Sequence, residues 1–218
     1  MAIVWSAVRV AARVRGRTSF FQPPTTLPED PLIALVRRYV SLSTAQAAQI
    51  TAAWGAPRIC RPGEVFLLPG QTCRALYFMD EGYARFYAEP GGRDVTRHFV
   101  LPGLLFTVAA SFASGTPARD GLQALTPGRV RQLSREANAT LAVACPPWND
   151  FREAYIRAVY AYLDDTLDEA RYLSATERYE AFVHRYPDVL LHIPLHHVAS
   201  YLGMTPQSLS RVRAKGLT

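Results

Sequence analysis

The sequence predicts an α+β chain: an antiparallel β sandwich or barrel, then one long helix, then a helix-turn-helix at the C-terminal end. Three observations carry this reading. Between Arg58 and Ser134, short apolar segments alternate with Gly- and Pro-containing turns. From Pro146 to Leu173, apolar residues recur at heptad spacing. Residues 195–213, LHHVASYLGMTPQSLSRVR, place a glycine, a cap and a first-turn proline between two short apolar patterns.

The composition limits what such a chain can do. Its 218 residues are 49% hydrophobic, enough for one large core or two modest ones, and the net charge of +6 favours polyanionic partners. Cys60, Cys73 and Cys145 stand far apart without CxxC or CxxH neighbours, which argues against a disulfide framework and a zinc site and favours a reducing, cytoplasmic setting. No apolar run approaches the roughly 20 residues that span a bilayer, so no membrane partner is expected.

Residues 1–28 read as a basic leader. Arg9, Arg13 and Arg17 fall at i, i+4 spacing and Arg15 lies between them, with no acid from Met1 to Gln22. A flexible tail, sequence upstream of the true start, a targeting peptide and a membrane-surface helix all fit. Pro23, Pro24 and Pro28 separate it from the rest.

From Glu29 to Trp54 the pattern is helical, with Leu32, Leu35, Val36 and Tyr39 at helix spacing. Ser43 followed by Gln46 is a capping-box signature for a second short helix closed by Gly55 and Pro57. Strands are then expected at Val65–Leu68, Ala75–Met79, Tyr83–Tyr87 and Val95–Leu101, between turns such as Pro62-Gly63, Glu81-Gly82 and Pro102-Gly103. Pro146 and Pro147 open the long helix. Ile156, Val159, Leu163, Thr166, Ala170 and Leu173 form a 3-4-3-4-3 seam suited to pairing with a second helix, and Phe151, Tyr155, Ala158 and Tyr162 form a second stripe. Periodicity alone leaves open which stripe meets the chain's own core. The expected units are 29–145, 146–173 and 174–218.

The C-terminal segment carries the chemistry. Val198, Leu202, Leu209 and Val212 are spaced to meet between two helices, Ala199 is small where they cross, and Met204 plugs the corner. Gly203 suits a left-handed turn, Thr205 an N-cap and Pro206 a first helical position. The second helix then offers Gln207, Ser208, Ser210, Arg211, Arg213 and Lys215 with no acid among them. Gln207 can pair bidentately with adenine and Arg211 with guanine, while Thr205, Ser208, Ser210, Arg213 and Lys215 suit phosphate oxygens. Double-stranded DNA is the partner these residue types match. His184, His192, His196 and His197 crowd the same region, yet no carboxylate or cysteine stands at ligand spacing, and Pro194 interrupts the i, i+4 pair. No metal is expected.

The run RPGEVFLLPGQTCRALYFMDEGYARFY, residues 61–87, and IPLHHVASYLGMTPQSLSRVR, residues 193–213, resemble the Crp–Fnr family of bacterial regulators. That resemblance implies a jelly-roll-like β-roll sensor over 29–145, a dimerisation helix over 146–173 and a helix-turn-helix DNA-binding domain over 174–218. It further implies a homodimer on a palindromic operator, base-reading positions at Pro206, Gln207, Ser210 and Arg211, and RNA polymerase and a small-molecule effector as further partners. An effector would be sought around Phe106, Thr107, Val108, Arg119 and Asp120. The cyclic-nucleotide motifs depart here: Thr107-Val108 stand where Gly-Glu holds the ribose, and Asp120 would repel a phosphate beside Arg119. Cyclic AMP is therefore not expected, and no other cofactor is evident. Pro206 removes a side-chain contact at the head of the reading helix, and no β-hairpin wing is expected after it.

The competing reading is a small-molecule sensor that signals through protein–protein contacts. An enzyme is not expected, because the β segment contributes only His98 and no nucleophile–base spacing occurs.

Overall fold

A computed structural model describes residues 29–215, without the side chain of Lys215. The basic leader and the last residues, with the expectations placed on them, lie outside the described residues.

The helical stretch of the sequence resolves into α1 (Pro31–Arg37) and α2 (Thr44–Trp54). Asp30 caps α1, its Oδ1 accepting the Leu32 N–H at 2.9 Å, and Pro31 supplies the first position without needing a partner. The capping box of α2 is complete: the Gln46 N–H donates to Ser43 Oγ at 3.2 Å and the Ser43 N–H to Gln46 Oε1 at 2.9 Å.

Eight strands follow: β1 (Arg58–Cys60), β2 (Val65–Leu67), β3 (Ala75–Glu81), β4 (Ala84–Ala88), β5 (Val95–Val100), β6 (Leu104–Phe106), β7 (Gly121–Ala124) and β8 (Gly128–Ser134). They form two four-stranded antiparallel sheets, in the orders β1-β8-β3-β6 and β2-β7-β4-β5. This is the expected β-roll. Its interior is aromatic, with the Phe66, Tyr77, Phe86 and Phe106 rings in contact at centroid distances of 5.3–6.4 Å. Gly82 turns β3 into β4 at φ +88°, and a Cβ there would lie 2.7 Å from the Pro127 carbonyl oxygen, so both backbone and space exclude a side chain.

Two helices were not legible. The apolar run after β6 contains α3 (Ala109–Ser114), too short to show a period, and α4 (Arg135–Ala144) follows β8. Ser134 caps α4 by accepting the Ala137 N–H at 3.1 Å, and this serine was the available signal.

The long helix α5 (Pro146–Tyr172) buries Trp148, Phe151, Tyr155, Val159 and Tyr162 against the roll and the C-terminal helices. This takes one residue, Val159, out of the expected dimer seam. Val159 is fully buried within its own chain and cannot meet a partner, while Ala170 is exposed and Thr166 and Leu173 are half-buried. The exposed large apolar residues of the helix are Ile156, Tyr160, Leu167 and Tyr172. Val159 satisfies both periodicities, and the aromatic stripe it shares with Tyr155 and Tyr162 turns it inward.

Arg131 of β8 joins α1 to the roll. Its Nε and Nη2 donate to the Asp80 carboxylate at 2.7–3.2 Å and its Nη1 to Asp30 Oδ2 at 2.7 Å. Both Arg131 and Asp80 are buried, so neither charge is solvated without the other. Arg131→Met leaves Asp80 buried and unpaired; it should lower the unfolding free energy by about 3 kcal/mol in urea titrations. A loss below about 1 kcal/mol would mean that water reaches Asp80.

Candidate nucleic-acid interface

After α5 come α6 (Ala175–Arg185), α7 (Val189–His192), α8 (Leu195–Tyr201) and α9 (Pro206–Lys215). The extended pair Ile193-Pro194 separates α7 from α8, so His192 and His196 stand on different helices. Among the described residues no group of three or more His, Cys, Asp or Glu is placed to hold a metal ion. No described helix is long and apolar enough to cross a membrane.

Helices α8 and α9 form the helix-turn-helix. Val198, Ala199, Leu202 and Leu209 are buried between them and their neighbours, and Val212 is half-buried. Gly203 makes the turn at φ +69°, and the Met204 N–H returns to the Ala199 carbonyl at 2.9 Å. Thr205 caps α9, its Oγ1 accepting the Ser208 N–H at 3.1 Å. Thr205, Pro206, Gln207, Ser210, Arg211 and Arg213 are exposed and Ser208 is half-buried with a 3.4 Å contact to Arg211. The outer face of α9 is thus polar or cationic, and its free backbone N–H groups and dipole add positive potential at the N-terminal end.

This unit is docked on strands β4 and β5. The buried Arg85 guanidinium is the centre of the contact. It forms a two-pronged pair with Asp94, donates to Gln123 Oε1 at 2.7 and 3.0 Å and to Thr96 Oγ1 at 3.1 Å, and stands 3.1 Å from His197 Nδ1 on α8. A guanidinium only donates, so His197 Nδ1 is the acceptor and that ring is neutral. The Thr96 N–H donates to Ser200 Oγ at 3.0 Å. Beside this polar node, Phe99 of β5 packs on Phe182 and Tyr201 at 6.0 and 5.3 Å, and Tyr83 stacks on His192 at 5.2 Å. The Tyr186 hydroxyl donates to Tyr162 Oη at 2.8 Å, tying α6 to α5. None of the β4–β5 side of this contact was foreseen; Arg85 reads in the sequence as one more arginine in a strand.

The five residues expected around an effector are not gathered on an open space. Phe106 is buried among the roll's rings, and Val108 is buried at the start of α3. The Thr107 hydroxyl donates to the Ala75 carbonyl at 2.8 Å, Asp120 is buried, and Arg119 is exposed. Burial pushes the Asp120 carboxyl above its usual range, opposed by the charges of Arg97 and Arg119. Thr107 lines a cavity between α3 and α5 on the outside of the roll.

The comparisons agree with this architecture. Residues 57–143 match the model of the cyclic nucleotide-binding domain family. FixK2 from Bradyrhizobium japonicum is 22% identical, with 73% of this chain and 83% of that chain covered at a TM-score of 0.58. The catabolite activator protein of Thermus thermophilus is 20% identical over 85% of each chain, with a TM-score of 0.52. A CooA mutant from Carboxydothermus hydrogenoformans is 13% identical over 87% of this chain and 85% of that one, with a TM-score of 0.60. No curated protein sequence matches. At these identities the structures share a fold: a β-roll followed by a helix-turn-helix. The fold that the resemblance to the Crp–Fnr family implies is borne out, and residues 57–143 are similar to cyclic nucleotide-binding domains.

The docked node has a pH signature. Burial holds His197 down at about 4, helped by the charges of Arg85 and His196 and opposed by Asp94. His98, buried in the roll, is likewise held at about 4 by burial and by Arg97. Both folded values lie below the ordinary histidine value near 6.5, so the unfolded chain binds protons first and stability falls as pH drops from about 6.5 towards 4. The thermal midpoint should therefore fall between pH 7 and pH 5, and His197→Gln should flatten part of that fall. An unchanged slope in the variant would show that His197 is solvated.

Proposed function

We propose that this chain is a sequence-specific DNA-binding transcription regulator that acts as a homodimer on a palindromic operator. The observation that carries the proposal is the outer face of α9, where Gln207, Ser210, Arg211 and Arg213 stand exposed on a capped helix with no acid. A helix of this kind enters the major groove by its N-terminal turn. Gln207 and Arg211 are assigned to base edges, and Thr205, Ser208, Ser210, Arg213 and Lys215 to phosphates. Pro206 contributes position and no polar contact.

The dimer is assigned to the exposed stripe of α5 in place of the seam first expected. Ile156, Tyr160 and Leu167 are exposed, and with the half-buried Leu163 they recur at 4-3-4 spacing, a heptad repeat. Two-fold pairing there would set two α9 helices on half-sites about one DNA turn apart. The printed name of one matched protein, the catabolite activator protein of Thermus thermophilus, fits a regulator. RNA polymerase as a partner and a cytoplasmic setting follow from the same reading. Thr107-Val108 and Arg119-Asp120 still argue against cyclic AMP as the effector.

Selection of duplexes from a random library by the purified full chain tests the proposal. The expected product is a palindrome, bound with log K falling linearly in log salt. Arg211→Ala should relax base preference at one position per half-site, at about 1–3 kcal/mol, whereas Arg213→Ala should weaken all duplexes alike. Recovery of no preferred sequence, with and without the acid probe named below, would contradict a DNA-reading function and favour signalling through protein contacts.

A further inference from the structure

A cavity of about 390 Å³ opens between α3 and the N-terminal half of α5, outside the roll. Its walls are apolar: Leu76, Leu105 and Phe112 on the roll side, Phe151, Tyr155 and Ile156 on the long helix. The Tyr155 hydroxyl is already used, donating to the Leu105 carbonyl at 2.8 Å. The volume is within the range of small-molecule sites, roughly 300–1,000 Å³, which combine apolar walls with a few placed polar groups.

One charged group lines this space. Arg152 is half-buried, and its only hydrogen-bond partner among the described residues is Asn149 Oδ1, at 3.2 Å. No carboxylate among the described residues lies within 4.0 Å of it, unlike the buried Arg85 and Arg131, which both carry paired acids. Burial pushes the Arg152 guanidinium below its usual value, opposed by Glu153. A partly desolvated cation beside apolar walls is uncompensated, and an anion delivered with an apolar tail would supply both missing contacts at once.

We propose that the cavity between α3 and α5 binds a small carboxylic acid with an apolar tail, its carboxylate on Arg152 and its tail against Leu105, Phe112 and Phe151. Resting on the regulator reading above, this acid is the effector of that regulator. Ile156 and Tyr160 line the cavity and also belong to the exposed stripe of α5, so an occupant there changes the surface that two protomers would share. The ligand would thus act at the pairing helix.

Calorimetric titration of the full chain with octanoate and with octanol tests this. Octanoate should bind once per chain, and octanol about tenfold or more weakly, because it lacks the charge that Arg152 meets. Arg152→Gln should weaken octanoate by about tenfold or more. Ala113→Trp fills the cavity from an exposed position on α3 and should abolish binding while the thermal midpoint is kept. Absence of octanoate binding, equal affinity for octanol, or unchanged affinity in Arg152→Gln would overturn the proposal. So would closure of the cavity by a second copy, seen as binding only to monomer. Octanoate binding to a chain that selects no duplex would uphold the site and sink the regulator reading. Duplex selection without octanoate binding would do the reverse.

Discussion

The position of the reading helix depends on one buried cation, the guanidinium of Arg85. It is withdrawn from water, and a charge so placed is stable only when its donors are all met. Asp94, Gln123 and Thr96 meet its five N–H groups from the sheet and its edge, and His197 Nδ1 adds a further acceptor on Nη1 from α8. The node is therefore shared, with the same buried cation held by the sheet and touched by the helix-turn-helix. The Thr96–Ser200 bond and the Phe99–Tyr201 contact extend that node along β5, so α9 inherits its orientation from the roll.

Much of this fold is legible in the sequence where a local rule acts alone. The capping box at Ser43–Gln46, the turn at Gly82, the proline start of α5 and the Gly203-Met204-Thr205-Pro206 corner are each fixed by residues next to one another. The exposed polar face of α9 follows from the same local pattern. Legibility ends where a residue serves two patterns or pairs across the chain. Val159 satisfies both stripes of α5, and only the aromatic packing of Tyr155 and Tyr162 decides its side. Arg85 and His197 are separated by 112 residues, and nothing local marks either as half of a contact. Helix α3 is shorter than two turns and therefore shows no period to read.

The candidate effector region illustrates the difference between position and environment. Phe106, Thr107 and Val108 stand at the end of β6 and Asp120 just before β7, but their side chains are absorbed by packing and by the Ala75 carbonyl. Phe66, Tyr77, Phe86 and Phe106 are in mutual ring contact inside the roll, and an open apolar space lies on its outer wall beside α5. Arg152 gains its interest only there. In the sequence it is an arginine on a charged helix; in the fold it is a cation with no carboxylate within 4.0 Å among the described residues.

If the Arg85 node holds α8 and α9 on the roll, its loss must loosen them. Amide hydrogen exchange of the full chain with Arg85→Met measures this directly. Exchange should quicken across residues 195–215 and at the Thr96 amide, with strands β3 and β8 unchanged. Exchange in 195–215 that is the same in both proteins would contradict it.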